Sequence, residues 1–261
     1  MDERVAVVTG ANRGLGRAIA VALARTGMRV AATARDPASL SGTVEEIESA
    51  GGECWALPCD VDDEDSVSRL AAEVGARAAA HGATVHTVVA NAGVAGPTAP
   101  LHEVSLAQWR SCLATDLDGV FLTFRAFIPA LIESRGGSLI AISSMTGKRP
   151  LLGRTPYASA KMGVLGLVRS LATELGPYDV RVNAVCPGAI GGPRIDAVIA
   201  QQAVLHGIDE SEARAAFTTA SPMDRLVSAD EVAATCAFLA SDAAAGITGE
   251  DVNVSAGAVM Y

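Results

Sequence analysis

A tyrosine and a lysine four residues apart, Tyr157 and Lys161, carry the clearest chemical signature in the chain. They begin a stretch, 157–175, whose apolar spacing reads as a helix. Residues at i and i+4 share one helix face, with Cβ atoms about 6 Å apart. Alone, such a pair is an ordinary surface arrangement. Ser144 changes the reading, because it ends the preceding apolar run thirteen residues earlier. Strand ends are where an open α/β sheet forms its ligand crevice. Together the three side chains suit carbonyl chemistry, which needs a hydride on carbon and a proton on oxygen. A phenol holds its proton far above neutral pH, and a neighbouring ammonium favours the phenolate. A serine hydroxyl can hydrogen-bond the substrate oxygen where charge develops. Tyr157 is therefore expected to exchange the proton, with Lys161 as its electrostatic partner and Ser144 as the hydrogen-bonding hydroxyl.

The hydride must come from a bound dinucleotide, and the first residues offer a place for one. Arg4–Thr9 is a Val-rich strand, and Leu15, Ile19 and Leu23 recur one helical turn apart after it. Between them lies Thr9-Gly10-Ala11-Asn12-Arg13-Gly14-Leu15-Gly16. Such a turn lets the backbone approach a pyrophosphate, and the helix N-terminus supplies free N–H groups and a positive dipole end. The same alternation continues along the chain. Strands are expected at Arg29–Ala34, Cys54–Cys59, Thr87–Ala90, Ser138–Ser143, Val180–Val185 and Asp251–Val254. Helices are expected around Glu45–Ile47 and over 66–80, 105–134 (with a kink at Pro129), 157–175 and 229–240. Short apolar strands between amphipathic helices imply an α/β fold, a doubly wound parallel sheet with helices on both faces. The pattern reads as one domain over 1–261. Its one irregular stretch, 188–222, is expected to be a substrate lid.

Cofactor choice turns on two cations. At the end of the second strand an NAD-binding fold usually carries an acid for the ribose hydroxyls, whereas an arginine suits the 2′-phosphate of NADP. Here Ala34 is followed by Arg35, and Asp36-Pro37 reads as a turn or cap. Arg13, in the glycine turn, is the second candidate. NADP(H) is expected to be preferred, with NAD(H) possible.

The net charge of −9, from 20 basic and 29 acidic residues, argues against a nucleic-acid partner. Five cysteines, with no CxxC or zinc spacing, read as reduced thiols of a cytoplasmic protein. His81, His86, His102 and His206 fit no metal site and read as surface or cap residues. No apolar run reaches the length of a membrane span. The acidic N-terminus, running at once into a strand, leaves no room for a signal peptide.

In order and spacing these motifs resemble the short-chain dehydrogenase/reductase family over essentially the whole chain. The resemblance rests on the glycine turn, Asp60-Val61, Asn91-Ala92-Gly93, Ser144, Tyr157-Ala158-Ser159-Ala160-Lys161, and Asn183 with Pro187-Gly188. It implies a Rossmann-type sheet of about seven strands, in a homotetramer or homodimer. It also implies that Asp60 and Val61 meet the adenine, that Asn91, Ala92 and Gly93 line the cofactor, and that Lys161 also holds the nicotinamide ribose. Two departures stand out. Relatives usually carry Asn in a stretch like Asn-Leu-x-Gly-x-Phe, with a backbone carbonyl that holds a relay water near the lysine; this chain has Asp116 there. Relatives often carry Thr a few residues after Pro-Gly; here backbone groups around Ile190 must serve.

The implied function is an NADP(H)-dependent interconversion of a small-molecule carbonyl and a secondary alcohol. The alternatives are the same chemistry with NAD, or a cofactor-sensing protein without catalysis. A sensor would be expected to lack Ser144, Tyr157 or Lys161, and all are present. A nucleotide-sugar epimerase or dehydratase would need a longer C-terminal substrate domain. Arg149, Arg154 and Arg194 flank the expected pocket. They could hold an anionic substrate group, but surface cations are the simpler reading.

Overall fold

The computed structural model describes residues 3–261; Met1 and Asp2, the acidic start of the N-terminus, lie outside the described residues. Seven strands form one sheet: β1 (Glu3–Thr9), β2 (Arg29–Ala34), β3 (Cys54–Pro58), β4 (Ala83–Ala90), β5 (Gly137–Ile142), β6 (Val180–Pro187) and β7 (Asp251–Val254). Their spatial order is β3-β2-β1-β4-β5-β6-β7. Every pairing is parallel. The chain winds outward one way from β1 through β2 and β3, then returns to β4 on the other side. The crevice at the C-terminal ends of β1 and β4 is therefore the topological switch point.

The helices are α1 (Gly14–Arg25), α2 (Ser41–Ser49), α3 (Glu64–Ala80), α4 (Leu106–Leu113), α5 (Gly119–Ser134), α6 (Met145–Lys148), α7 (Thr155–Leu175), α8 (Pro193–His206), α9 (Glu210–Thr219) and α10 (Ala229–Ala240). The period-2 alternation of the strands divides the core. Val5 and Val7 of β1 join Val74 of α3, Phe124 and Phe127 of α5 and Val168 of α7 on one face. Ala6 and Val8 join Ile19 and Leu23 of α1, Ile47 of α2 and Leu239 of α10 on the other. A sheet buried on both faces explains why its strands are almost continuously apolar.

Three sequence expectations change. The helix expected over 105–134 is interrupted at Ala114–Asp118 by a π-helical turn, while α5 runs on through Pro129. A π turn inserts one extra residue and rotates what it carries, and here it turns Asp116 inward, where it is fully buried. The stretch 188–222 is largely ordered into α8 and α9, which share a small core of Ile199, Ala203 and Ala213. Ile195, Val198 and Ile199 already had helical spacing between Gly192 and Gly207. Finally, His86 is a half-buried strand residue rather than a surface or cap residue. Its Nδ1 lies 2.9 Å from the Thr87 hydroxyl, and burial pushes its pKa down to about 4. His81 does stand at the C-cap of α3.

Candidate active site

Thr9 ends β1 and anchors the glycine turn. Its hydroxyl accepts from the N–H groups of Asn91 (3.0 Å) and Ala92 (3.1 Å) at the end of β4. The Asn91 side-chain amide donates back to the carbonyls of Thr9 (2.8 Å) and Gly10 (3.2 Å). Asn91 thus ties β1 to β4 across the switch point. Gly10 and Gly14 have φ of +65° and +54°, a region that disfavours side chains. A Cβ at Gly16 would collide with the Gly10 carbonyl, so α1 can start this close to the strand only with glycine there.

Arg13, at the N-cap of α1, makes no capping side-chain bond, and the first turn holds no acid. Its N–H groups and dipole end are left for an anion. A Cβ at Gly14 would meet no atom within 4 Å, so the turn opens to solvent where a pyrophosphate would lie. Two supports escaped the sequence reading. Arg17 donates to the Asn12 carbonyl at 2.9 Å, and the Thr43 hydroxyl to the Ala11 carbonyl at 2.8 Å. The second is a long-range contact with no local signal, and the first spans only five residues.

Arg35 is exposed just beyond β2, and Asp36 caps the next turn by accepting from Ala38 N at 3.0 Å. Arg13 is exposed as well. Asp60 follows β3, where its carboxylate accepts from Asp62 N at 3.2 Å and its own N–H donates to Ser66. Val61 is buried beside Gly119, where a Cβ would come within 3.0 Å of it. Beyond β6, Gly188 lies so near Ser255 that a Cβ would fall 2.9 Å from its Cα. Ile190 forms an isolated bridge with Val227 that fixes the backbone after Pro187. Arg35, Asp60, Gly188 and Ile190 all follow the C-terminal ends of parallel strands, the side where an open α/β sheet forms its ligand crevice.

Lys161 of α7 is held at the end of β5, with Tyr157 one helical turn before it and Ser144 following the strand. Ser144 is extended (φ −164°) and caps α6, its hydroxyl accepting from Thr146 N at 3.1 Å. The four-residue α6 was too short to be read from the sequence. Ser143 locks α7 to the strand by donating to the Lys161 carbonyl at 2.8 Å. Lys161 is buried, and its Nζ donates to the Ile142 carbonyl at 3.0 Å and lies 5.7 Å from the centroid of the Tyr157 ring.

Asp116 completes the group in a way that the sequence left open. Its Oδ1 is 3.1 Å from Lys161 Nζ. The contact is not aligned as a hydrogen bond, and Oδ1 has no hydrogen-bond partner among the described residues. Oδ2 accepts a weak bond from the Cys112 thiol at 3.6 Å, and that thiol is pushed up to about 12 by burial and by the carboxylate. The carboxylate lies against Gly93, where a Cβ would fall 2.5 Å from Oδ1. Gly93, expected to line the cofactor, also makes room for this ion pair.

Of the flanking arginines, Arg149 and Arg194 are exposed. Arg154 is not the surface cation expected: it is 4% exposed, with its guanidinium carbon 4.8 Å from the Tyr157 ring centroid. No group of three or more His, Cys, Asp or Glu side chains is placed to hold a metal ion among the described residues.

The seven-stranded parallel sheet agrees with the comparisons. Residues 10–259 match a family model described as enoyl-(acyl carrier protein) reductase. The chain belongs to the short-chain dehydrogenase/reductase family. It is 37% identical to the cis-4-hydroxycyclohexanecarboxylate dehydrogenase of Sinomonas cyclohexanicum, covering 98% of this chain and 96% of that one. It is 35% identical to the 3-oxoacyl-(acyl-carrier-protein) reductase of a Synechocystis species, covering 100% and 99%. Among solved structures, a variant actinorhodin polyketide ketoreductase with NADPH superposes with a TM-score of 0.93, at 33% identity and full coverage of both chains. No helix among the described residues is long and apolar enough to cross a membrane.

Proposed function

We propose that this protein is an NADP(H)-dependent oxidoreductase that interconverts a small-molecule carbonyl and a secondary alcohol. The observation that carries the reading is the buried Lys161, held at the end of β5 beside Tyr157 with Ser144 following that strand, in a fold whose glycine turn leaves its helix N-terminus uncapped. The bound cofactor supplies or accepts the hydride. Tyr157 gives its phenolic proton to the carbonyl oxygen, or takes it from the alcohol. Lys161, held by the Ile142 carbonyl, favours the phenolate as that proton leaves. The Ser144 hydroxyl can turn from its cap toward the substrate oxygen and stabilise the developing charge. Asp116 neutralises Lys161 and keeps its ammonium beside the ring, while its backbone carbonyl is left to hold a relay water.

Gly10, Asn12, Arg13, Gly14, Leu15 and Gly16 would cradle the pyrophosphate. Asp60 and Val61 would border the adenine, and Asn91, Ala92, Gly93, Pro187, Gly188 and Ile190 would line the nicotinamide half. Arg13 and Arg35 would meet the 2′-phosphate, which supports NADP(H) over NAD(H). The NADPH held by the actinorhodin ketoreductase fits that reading. The segment 188–222 would act as the substrate lid of a single domain. We further infer a homotetramer or homodimer in the cytoplasm; exposed Phe121 and Phe238 are candidates for subunit contacts, and light scattering tests the assembly. The activity is tested by following NADPH absorbance with a panel of cyclic and linear ketones. Turnover is expected with NADPH, and tight NADPH binding without turnover of any ketone or alcohol would favour a cofactor sensor.

A further inference from the structure

Arg154 stands just before α7 and pairs with no carboxylate among the described residues. One terminal nitrogen donates to the Thr98 hydroxyl at 3.2 Å. Its Nε is buried without a hydrogen-bond partner among the described residues. Burial is the main cause that disfavours its charge, and Arg194 adds repulsion. The nearby carboxylate, Asp116, is engaged with Lys161. A guanidinium has five N–H donors and stays charged, so taking one out of water without a carboxylate is costly. A neutral threonine and an aromatic face offset only part of that cost.

The surroundings deepen the imbalance. Arg194, at the start of α8, donates to the carbonyls of Gly93 (3.2 Å) and Val94 (2.7 Å). A second cation thereby reaches across the crevice from the lid side. Around Tyr157 three cations, Arg154, Lys161 and Arg194, face one carboxylate, in a chain whose overall charge is −9. A local positive excess in an acidic protein, beside the reacting phenol, calls for an anion.

We propose that Arg154 recognises a carboxylate on the substrate, so that the substrate is a keto or hydroxy carboxylate. The proposal rests on the carbonyl–alcohol reading above. In the reduction, hydride goes from NADPH to the carbonyl carbon and the proton from Tyr157 to its oxygen; the carboxylate is unchanged. A carboxylate matches the planar fork that Arg154 offers. A phosphate would demand more donors than the fork of one guanidinium offers, and Arg194 already spends two of its own on the Gly93 and Val94 carbonyls. A thioester carries no charge near its keto group and would leave Arg154 unpaired. The 4.8 Å between guanidinium and phenol ring puts the carboxylate only a few bonds from the reacting carbon.

The test uses pairs that differ by one charge and one methyl group: 4-oxocyclohexanecarboxylate and its methyl ester, and 4-oxopentanoate and its methyl ester, each with NADPH. The native protein is expected to favour the acid by tenfold or more in kcat/KM, mainly through KM. Arg154→Met should cut the acid-to-ester ratio at least tenfold, and Arg154→Lys should restore part of it. An acid-to-ester ratio near one in the native protein overturns the proposal, whether or not either variant folds. So does an Arg154→Met variant that binds NADPH normally and loses acid and ester turnover alike. Ester turnover without acid preference leaves the carbonyl–alcohol reading standing and removes only this inference. If neither member of a pair is reduced, binding of cyclohexanecarboxylate to the NADPH-loaded protein decides: affinity lost in Arg154→Met supports the proposal, and no binding or unchanged binding overturns it.

Discussion

Replacing Asp116 by Asn tests what the buried carboxylate contributes. The change keeps the side-chain volume and the backbone but removes one charge 3.1 Å from Lys161 Nζ. With an effective dielectric of about 20, that contact is worth roughly 5 kcal/mol of attraction. Burying the carboxylate costs several kcal/mol in return, and this cost disappears with the charge. Lys161 keeps the Ile142 carbonyl at 3.0 Å, and the amide oxygen of Asn can still face it. The net loss should therefore be about 1–3 kcal/mol. At roughly 2–4 °C per kcal/mol for a domain of this size, Tm should fall by about 2–12 °C. Thermal unfolding with and without saturating NADPH measures this. Activity should stay within tenfold, because a relay water would be held by the backbone. A rise in Tm would show that desolvation outweighs the ion pair. A hundredfold fall in kcat with NADPH binding intact would show that the carboxylate itself handles the proton.

Tyr157→Phe removes the transferable proton and little volume, so turnover should fall at least a thousandfold while NADPH binding stays within a few fold; turnover within tenfold of the native protein would refute the assignment. Ala34→Asp with Arg35→Gln should shift the NADPH/NADH ratio of kcat/KM toward NADH by tenfold or more, since a charge-assisted hydrogen bond contributes about 1.5–3 kcal/mol before screening. A native protein that already prefers NADH would mean that Arg35 does not meet the ribose. His86 has a folded-state pKa depressed to about 4 by burial. The unfolded chain then binds more protons below its ordinary value of 6.5, and the stability is present above that value and lost as pH falls toward 4. His86→Phe should flatten the fall of Tm over that window, and an unchanged slope would refute the linkage.

Much of this was legible in the sequence because local patterns coincide with tertiary needs. The alternation of Val-rich runs with amphipathic helices carried the sheet, and the core confirms it: successive residues of β1 enter opposite clusters. The glycine turn was legible because only glycine permits the close approach of Gly16 to Gly10. Other features were hidden for physical reasons. β4 starts at Ala83, earlier than expected, because Thr84 and His86 put polar groups into a run that is only half buried there. The burial of Arg154 has no local sign: the polar Gly-Arg-Thr stretch looks like a surface turn, and only the fold brings Thr98 and α8 against it.

Asp116 shows how a departure from a family pattern gains meaning from its neighbours. In sequence it is a lone Asn-to-Asp difference within an unremarkable helix. The π turn aims its carboxylate inward, Gly93 lacks the Cβ that would block it, and Lys161 meets it from α7. These contacts join the turn after β4, the π turn before α5 and α7 through one charge. Each element alone tolerates either residue; the combination does not treat them alike. A carboxylate binds Lys161 by charge, whereas an amide could offer it only a dipole. The substitution therefore changes how firmly the lysine is held beside Tyr157 before any ligand arrives. A cofactor ribose entering the crevice would have to share that lysine with Asp116, so the effect of the acid should appear in cofactor affinity before it appears in the chemical step.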